Sequence, residues 1–490
     1  DVGSVCHPML WLALHLPRLP LEVFQRAGVL PRGATGETAL AVPFAVTAGV
    51  NPPRVLLPDE PALRCGIAPG MALSAAQAIA PHLRTRPRDA SLEAAALAGL
   101  ARWGGQFTPA LSLAPPDALL LEIGGCLRLF GGLAPLLERL RQGVTELGFD
   151  PVPASAPTAA GALMLARSGL ETHVSDHTVL RQRLGQLCID TLDMTPGVQA
   201  GLQRLGLRTL EDCLRLPRDG LARRFGQALL DRMDRALGLQ PDPRLPYVAP
   251  EHFCSRLVLP VPVPDAGQVV FGLRRLVAEL AGFLTSRDAG ATRVVLHLEH
   301  EDHPPTAVAV DLSLPSRDPA HLLVLLRERI GRVTLPGPVE ACRLECPETR
   351  PLDPRPLSLF PDREEATEER MALVERLRAR LGRQAVHGLV PVPEHRPELA
   401  FREAEPGSAA PPGPGMQRPV WLLDAPAPVT AGGLHLLQGP ERIESGWWDG
   451  RHVQRDYYVA ALPDGTRLWI YRDRSEAAAT PRWFVHGLFG

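Results

Sequence analysis

The sequence contains no lysine: all 52 of its Lys/Arg-type residues are arginine. With Ala, Pro, Gly and Leu abundant, this reads as a compositional bias of the source and excludes no function. The eight cysteines lie far apart without a CxxC pair, Cys342 and Cys346 being the closest. That spacing supports neither a zinc site nor a disulfide framework, and a reduced, cytoplasmic protein is expected. The histidines are not read as a metal site, and no metal and no cofactor are expected. No apolar run approaches the roughly 20 residues of a membrane helix, so no membrane contact is expected. Residues 1–8 lack the blocks of a signal peptide, and we read them as a start-site extension. A net charge of −2 provides no global positive field to announce a nucleic-acid partner.

What is present is enough chain for about three or four domains. Residues 10–16 form a short apolar run ended by Pro17, a buried strand by length and flanks. Residues 40–46, 54–57 and 118–123 are further strand candidates. Residues 73–80, 92–103, 127–147 and 158–168 read as helices, the third with Leu133, Leu136, Leu137, Leu140 and Val144 on one face. Alternating strands and helices predict an α/β core over 9–185.

Residues 186–246 differ, with helical signal and short turns throughout. TPGV at 195–198 and the glycine of LGLRTLEDC at 205–213 suggest a helix-hairpin-helix. Its backbone N–H groups can face DNA phosphates without reading sequence, and the candidates are Thr195, Gly197, Val198, Gly206 and Arg208. Residues 250–348 follow the order βαββαβ, a compact α+β domain. Between 251 and 350 there are 11 arginines against 13 acidic residues, and between 190 and 240 there are 8 against 7. Phosphate neutralisation drives non-specific affinity, so only weak, salt-sensitive DNA binding is expected.

Residues 349–419 read as a linker: proline-rich at 347–361, a charged amphipathic helix at 363–381, and flexible Pro/Gly/Glu-rich chain at 391–419. The helix either docks on a partner or packs on its own domain. Residues 420–490 read as a small β-rich module, with strands at 421–423, 451–462 and 467–472. Trp447, Trp448, Tyr457, Tyr458, Trp469, Tyr471 and Trp483 gather there. Such rings serve a partner interface or the module's own core, and Trp447, Trp448, Tyr457, Tyr458 and Trp483 are the partner-binding candidates.

Several motifs resemble those of Y-family DNA polymerases. The family's first strand carries Asp-x-Asp-x-Phe-Phe/Tyr-x-x-Val-Glu, and the matching stretch is Leu12-Ala13-Leu14-His15-Leu16-Pro17-Arg18-Leu19-Pro20-Leu21-Glu22. Ala13 and His15 stand where that pattern has aspartates. The second motif, Ser-x-Asp-Glu, is matched by Pro115-Pro116-Asp117-Ala118, which keeps Asp117 and puts Ala118 for the glutamate. Two-metal catalysis needs clustered carboxylates, because Mg²⁺ takes oxygen ligands in near-octahedral geometry. Gly66-Ile67-Ala68-Pro69-Gly70-Met71 and Gly124-Gly125-Cys126-Leu127-Arg128-Leu129-Phe130-Gly131 are similar to other family turns. Ala154-Ser155-Ala156-Pro157-Thr158-Ala159-Ala160 resembles a later loop-helix, without its lysine.

The opening Leu10–Pro17 stretch, Gly439-Pro440-Glu441-Arg442-Ile443-Glu444-Ser445-Gly446-Trp447-Trp448 and Arg455-Asp456-Tyr457-Tyr458 are similar to the ImuB branch, which lacks these carboxylates. The resemblance implies a palm and fingers, a helix-hairpin-helix thumb, a βαββαβ little finger and a C-terminal module. It implies no catalysis, but a cytoplasmic, nucleoid-associated scaffold for translesion synthesis at damaged DNA. The implied partners are the sliding clamp, a C-family error-prone polymerase, a RecA-like ImuA and, weakly, primer-template DNA. Pro356-Leu357-Ser358-Leu359-Phe360 resembles the clamp ligand Gln-Leu-x-Leu-Phe, with Pro356 at the Gln position. It is either that ligand or linker packed on its own domain. The alternative function is a residually active Y-family polymerase using Asp117, Glu122 and a further carboxylate.

Overall fold

The computed structural model describes residues 9–26, 42–49, 51–352, 363–409, 418–430, 432–474 and 482–489. The chain divides into two compact units, residues 1–366 and 367–490. The fold is mixed α/β and α+β with a β-rich C-terminal unit. No described helix is long and apolar enough to cross a membrane.

In the first unit the opening apolar run becomes the strand Trp11–His15, the middle of a five-stranded sheet. The order is Leu111–Ala114, Ala118–Glu122, Trp11–His15, Val152–Ala156, Thr172–His173. Alternate side chains point to opposite faces of the pleat. Leu12, Leu14, Leu119 and Leu121 enter a core shared with the helices Ala90–Gly104 and Leu133–Glu146. Ala13, Ala118, Leu120, Ala154 and Ala156 enter a second core, shared with the helix Ala159–Arg167 and the helices that follow. The single helix predicted over 127–147 is two, Leu127–Phe130 and Leu133–Glu146. Gly131 and Gly132 interrupt it with φ of 78° and 114°, a region only glycine enters without strain.

A small three-stranded sheet, Phe44–Ala48 with Arg54–Pro58 and Arg84–Pro87, has its own core around Val55, Ala62 and Ile67. Five helices occupy His177–Gly185, Pro196–Arg204, Leu210–Leu214, Arg218–Phe225 and Gln227–Leu237. The βαββαβ block then forms a four-stranded sheet in the order Thr306–Ser316, Ala289–Glu299, Val339–Pro351, Phe253–Val263. Its first helix, Ala266–Ser286, lies against the earlier helix Ala90–Gly104.

That contact encloses charge. Glu279 is 2% exposed, and one carboxylate oxygen accepts from Arg102 Nη2 at 2.6 Å and Nε at 3.1 Å. The other accepts from the Ser255 hydroxyl at 2.9 Å, with Arg26 Nη2 at 3.9 Å. Burial, with Arg102 adding to it, lowers the affinity of Arg26 for its proton, although Glu279 opposes this. Burial and then Arg26 push the Arg275 guanidinium down to about 10.

The second unit corrects the linker expectation for residues 391–409. Gly388–Pro391 and Phe401–Ala404 pair as an antiparallel hairpin carrying a 3₁₀ turn at Pro397–Leu399. Ion pairs stitch it to the β module: Arg396 to Asp449 at 2.7 Å, and Glu398 to Arg455 at 3.0 Å. The module is a five-stranded antiparallel sheet in the order Trp421–Val429, Trp483–Leu488, Arg467–Asp473, Val453–Ala461, His435–Ser445.

Candidate functional site

The strand register fixes where the polymerase-like positions fall. His15 faces Ala118 and Ala13 faces Leu120 across one strand pair, while Ala13 faces Ala154 across the next. Ala13 and Ala118 are both fully buried. Their methyl groups fill the core beneath the helix Ala159–Arg167, together with Ala159, Ala162 and Ala166.

Asp117 sits one residue before its strand, and protein groups engage both of its oxygens. His15 Nε2 is 3.5 Å from Oδ2 and Arg167 Nη2 is 3.0 Å from Oδ1. Burial opposes ionisation of Asp117, but the His15 hydrogen bond and the Arg167 charge prevail and hold its carboxyl below the ordinary range. Arg167 also reaches Asp193 at 3.4 Å, and Arg232 lies 3.9 Å from that same carboxylate. The retained aspartate thus ends a relay of charges running from the sheet into the helical region.

Glu122 lies at the far end of the same strand, about 16 Å away at ordinary strand rise. Its Oε1 accepts from the backbone N–H of Leu10 at 3.2 Å and of Gly124 at 3.0 Å. Burial pushes the Glu22 carboxyl up to about 7, and it accepts from the Asp150 N–H at 3.0 Å. These carboxylates serve the backbone at separate places. Among the described residues, no three His, Cys, Asp or Glu side chains converge to hold a metal ion.

Arg167 and Asp193 did not emerge from the sequence. The lysine missing from the loop-helix motif has no arginine beside it, but Arg167 stands seven residues after Ala160. Two helical turns bring it to the same side. Beside it lies a cleft of about 370 Å³ lined by Arg167, Arg232, Arg235 and Arg244 against Asp193 and Asp242.

The helix-hairpin-helix candidates fall in two places. Thr195, Gly197 and Val198 line a second cleft, of about 500 Å³, with Arg204 and Arg224. Gly206, at φ 80°, closes the turn beyond it. The Arg208 N–H already donates to Asp212 at 3.0 Å. The open face of the four-stranded sheet neutralises itself: Arg256 to Glu299 at 2.9 Å, Arg343 to Glu299 at 3.5 Å, His297 to Glu345 at 3.2 Å and Arg293 to Asp311 at 3.7 Å.

The C-terminal aromatics separate by exposure. Tyr457 is 1% exposed, stacked on Trp469 at 4.1 Å and hydrogen-bonded to His486 Nδ1 at 2.8 Å, so it belongs to the core. Tyr458 and Trp483 are half-buried against each other at 5.3 Å. Trp447 and Trp448 are exposed, at 74% and 59%. Pro356, Leu357, Ser358, Leu359 and Phe360 lie outside the described residues.

Comparison with known proteins places this geometry in context. Residues 40–166 match the impB/mucB/samB family model. Protein ImuB of Caulobacter vibrioides, from strains NA1000 / CB15N and ATCC 19089 / CIP 103742 / CB 15, is 29% identical over 458 residues, spanning 87% of this chain and 100% of the relative. Solved structures with a similar course include a Y-family polymerase chimera of Dbh and Dpo4, 18% identical with a TM-score of 0.39. DinB from Sulfolobus solfataricus is 18% identical with a TM-score of 0.38. Each covers 69% of this chain and 98% of its own.

Proposed function

We propose that this ImuB-like chain with a Y-family-type domain is a non-catalytic scaffold of damage-induced translesion synthesis. It would link the sliding clamp to an error-prone C-family polymerase and an ImuA-type partner at damaged DNA. The observation that carries this reading is the burial of Ala13 and Ala118 beneath a helix, with Asp117 held by His15 and Arg167. A pair of Mg²⁺ ions needs several open carboxylate oxygens, and this centre offers one carboxylate already engaged. The separation of Asp117 from Glu122 counts against residual polymerase activity by the pair.

Scaffolding suits weak individual links. Tethering several modules raises effective concentration without new contacts at the lesion. The arginine-lined clefts are suited to phosphate contacts. The self-neutralised sheet face supplies little more, in keeping with weak DNA binding. Residues 356–360 would provide the clamp tether, with Leu357, Leu359 and Phe360 as apolar anchors in an extended peptide.

Retention on immobilised clamp tests the tether. Burial of a Leu and a Phe side chain is worth roughly 1.5–3 kcal/mol each before ordering costs. The pair Leu359→Ala and Phe360→Ala is therefore expected to reduce retention of the full chain more than about tenfold. Equal recovery of variant and wild type removes the clamp from this account.

A further inference from the structure

We infer that the cleft between the helices Leu19–Gln25 and Ala90–Gly104 and the strand Phe253–Val263 binds a small oxyanion, free inorganic phosphate by preference, on the buried guanidinium of Arg26. This goes beyond the scaffold reading and does not depend on it.

The cleft encloses about 250 Å³ where the βαββαβ block meets the α/β core. Arg26 and Val23 line it from the first helix, Leu92, Ala95 and Ala96 from the second, and residues 254–258 from the strand. That strand is the outermost of its sheet, so alternate backbone N–H groups along its free side have no ladder partner. The volume falls below the roughly 300–1,000 Å³ that houses a drug-sized ligand, which favours the free ion over a nucleotide.

Charge selects the occupant. Glu279 is the one carboxylate among the lining residues, and Arg102 takes it with two donors, at 2.6 Å and 3.1 Å. Arg256 is taken by Glu299 at 2.9 Å. Arg26 is left with Nη2 at 3.9 Å from Glu279, and its Nε has no hydrogen-bond partner although the side chain is 6% exposed. Arg275 packs beside it: a Cβ on Gly148 would meet both Arg26 Cβ and Arg275 Nε at 2.8 Å. Its Nη1 is buried and unpaired too. Glu22, one turn before Arg26, accepts from the Asp150 N–H and forms no ion pair with Arg26 among the described residues. Arg26, Arg102 and Arg275 thus share one carboxylate, Glu279. Burial first, then a neighbouring cation, lowers the proton affinity of Arg26 and Arg275, with Glu279 opposing this at Arg26. Buried charges and donors are retained where something pairs with them. A tetrahedral oxyanion accepts from the Arg26 Nε and from the free strand edge at once, and offsets the surplus positive charge.

The test is calorimetric titration of the full chain with inorganic phosphate at an ionic strength held constant with sodium chloride, and with dATP as the second probe. Wild type is expected to take up phosphate at one site. Arg26→Met is expected to weaken that binding at least about tenfold, the worth of a charge-assisted hydrogen bond. Ala95→Glu places a carboxylate at an exposed helical position on the rim of the cleft, where glutamate is a good helix former. It should weaken phosphate binding at least about tenfold by charge repulsion and leave circular dichroism unchanged. Phosphate should also raise hydrogen-exchange protection in the helices Ala90–Gly104 and Ala266–Ser286 of wild type, and in neither variant. If Arg26→Met does not fold, Ala95→Glu decides alone. Absence of phosphate binding to wild type overturns the site. Uptake that is unchanged in the variants means an adventitious ion only and overturns it equally. Binding of dATP that depends on Arg26, without binding of inorganic phosphate, overturns the choice of the free ion.

Discussion

Replacing Glu279 with alanine is expected to loosen the first unit by about 3–5 kcal/mol, the usual penalty for leaving a buried charge without its partner. The carboxylate is 2% exposed, and the Arg26 and Arg102 side chains that face it are 6% and 12% exposed. Arg275 adds a third cation beside Arg26, so two arginines face the glutamate and a third lies next to one of them. Without Glu279 the arginines repel one another where water cannot screen them, and Ser255 loses its acceptor. Hydrogen exchange in the helices Ala90–Gly104 and Ala266–Ser286 reads the effect directly. Protection there should fall by roughly 10²- to 4 × 10³-fold. Glu279→Gln keeps the shape and an acceptor and should fall between alanine and wild type. Unchanged protection in the alanine variant means that the contact between the two helices does not depend on the charge.

An aspartate placed at position 13 should unfold the sheet rather than create a metal site. Ala13 is fully buried among the apolar side chains of Ala118, Leu120, Ala154, Ala156 and Leu165. An ionised carboxylate there is shut off from water, and a neutral one brings polar atoms among alkyl groups. The destabilisation expected for Ala13→Asp is again about 3–5 kcal/mol. For a region of this size that lowers the melting temperature by roughly 10 °C. Differential scanning calorimetry measures the shift, and Mn²⁺ titration by electron paramagnetic resonance measures any metal taken up. A variant as stable as wild type that binds Mn²⁺ would show an open coordination space beneath the helix Ala159–Arg167.

The sequence disclosed those features that rest on local pattern. The run at 10–16, the 3.6-residue period at 133–144 and the βαββαβ order each follow from hydrophobic spacing over a few turns. That Ala13, His15 and Ala118 stand where the Y-family pattern has carboxylates needed only the motif. The strand Val152–Ala156 was missed because prolines at 151 and 153 flank and interrupt it, a pattern that reads as loop. It stands because the central strand pairs with it residue by residue. The ordered hairpin at 388–404 was hidden for another reason. Its composition is that of a linker, and its stability comes from ion pairs to partners about 50 residues away, Arg396 to Asp449 and Glu398 to Arg455. Tyr457 and Tyr458 look alike as neighbours, yet strand alternation sends one into the core and the other toward Trp483. Arg167 became part of the site only through the fold, which returns the end of its helix to Asp117.

Central to the proposed function is that the sheet centre around Ala13, His15 and Asp117 holds too few free oxygens for two-metal chemistry. Primer extension tests it most directly: full-length chain on an undamaged and a lesion-bearing primer-template, all four dNTPs, with Mg²⁺ and separately with Mn²⁺, beside an active Y-family enzyme. The account predicts no extension beyond background with either ion, at enzyme in excess over DNA. Template-directed incorporation that disappears in Asp117→Ala would contradict it.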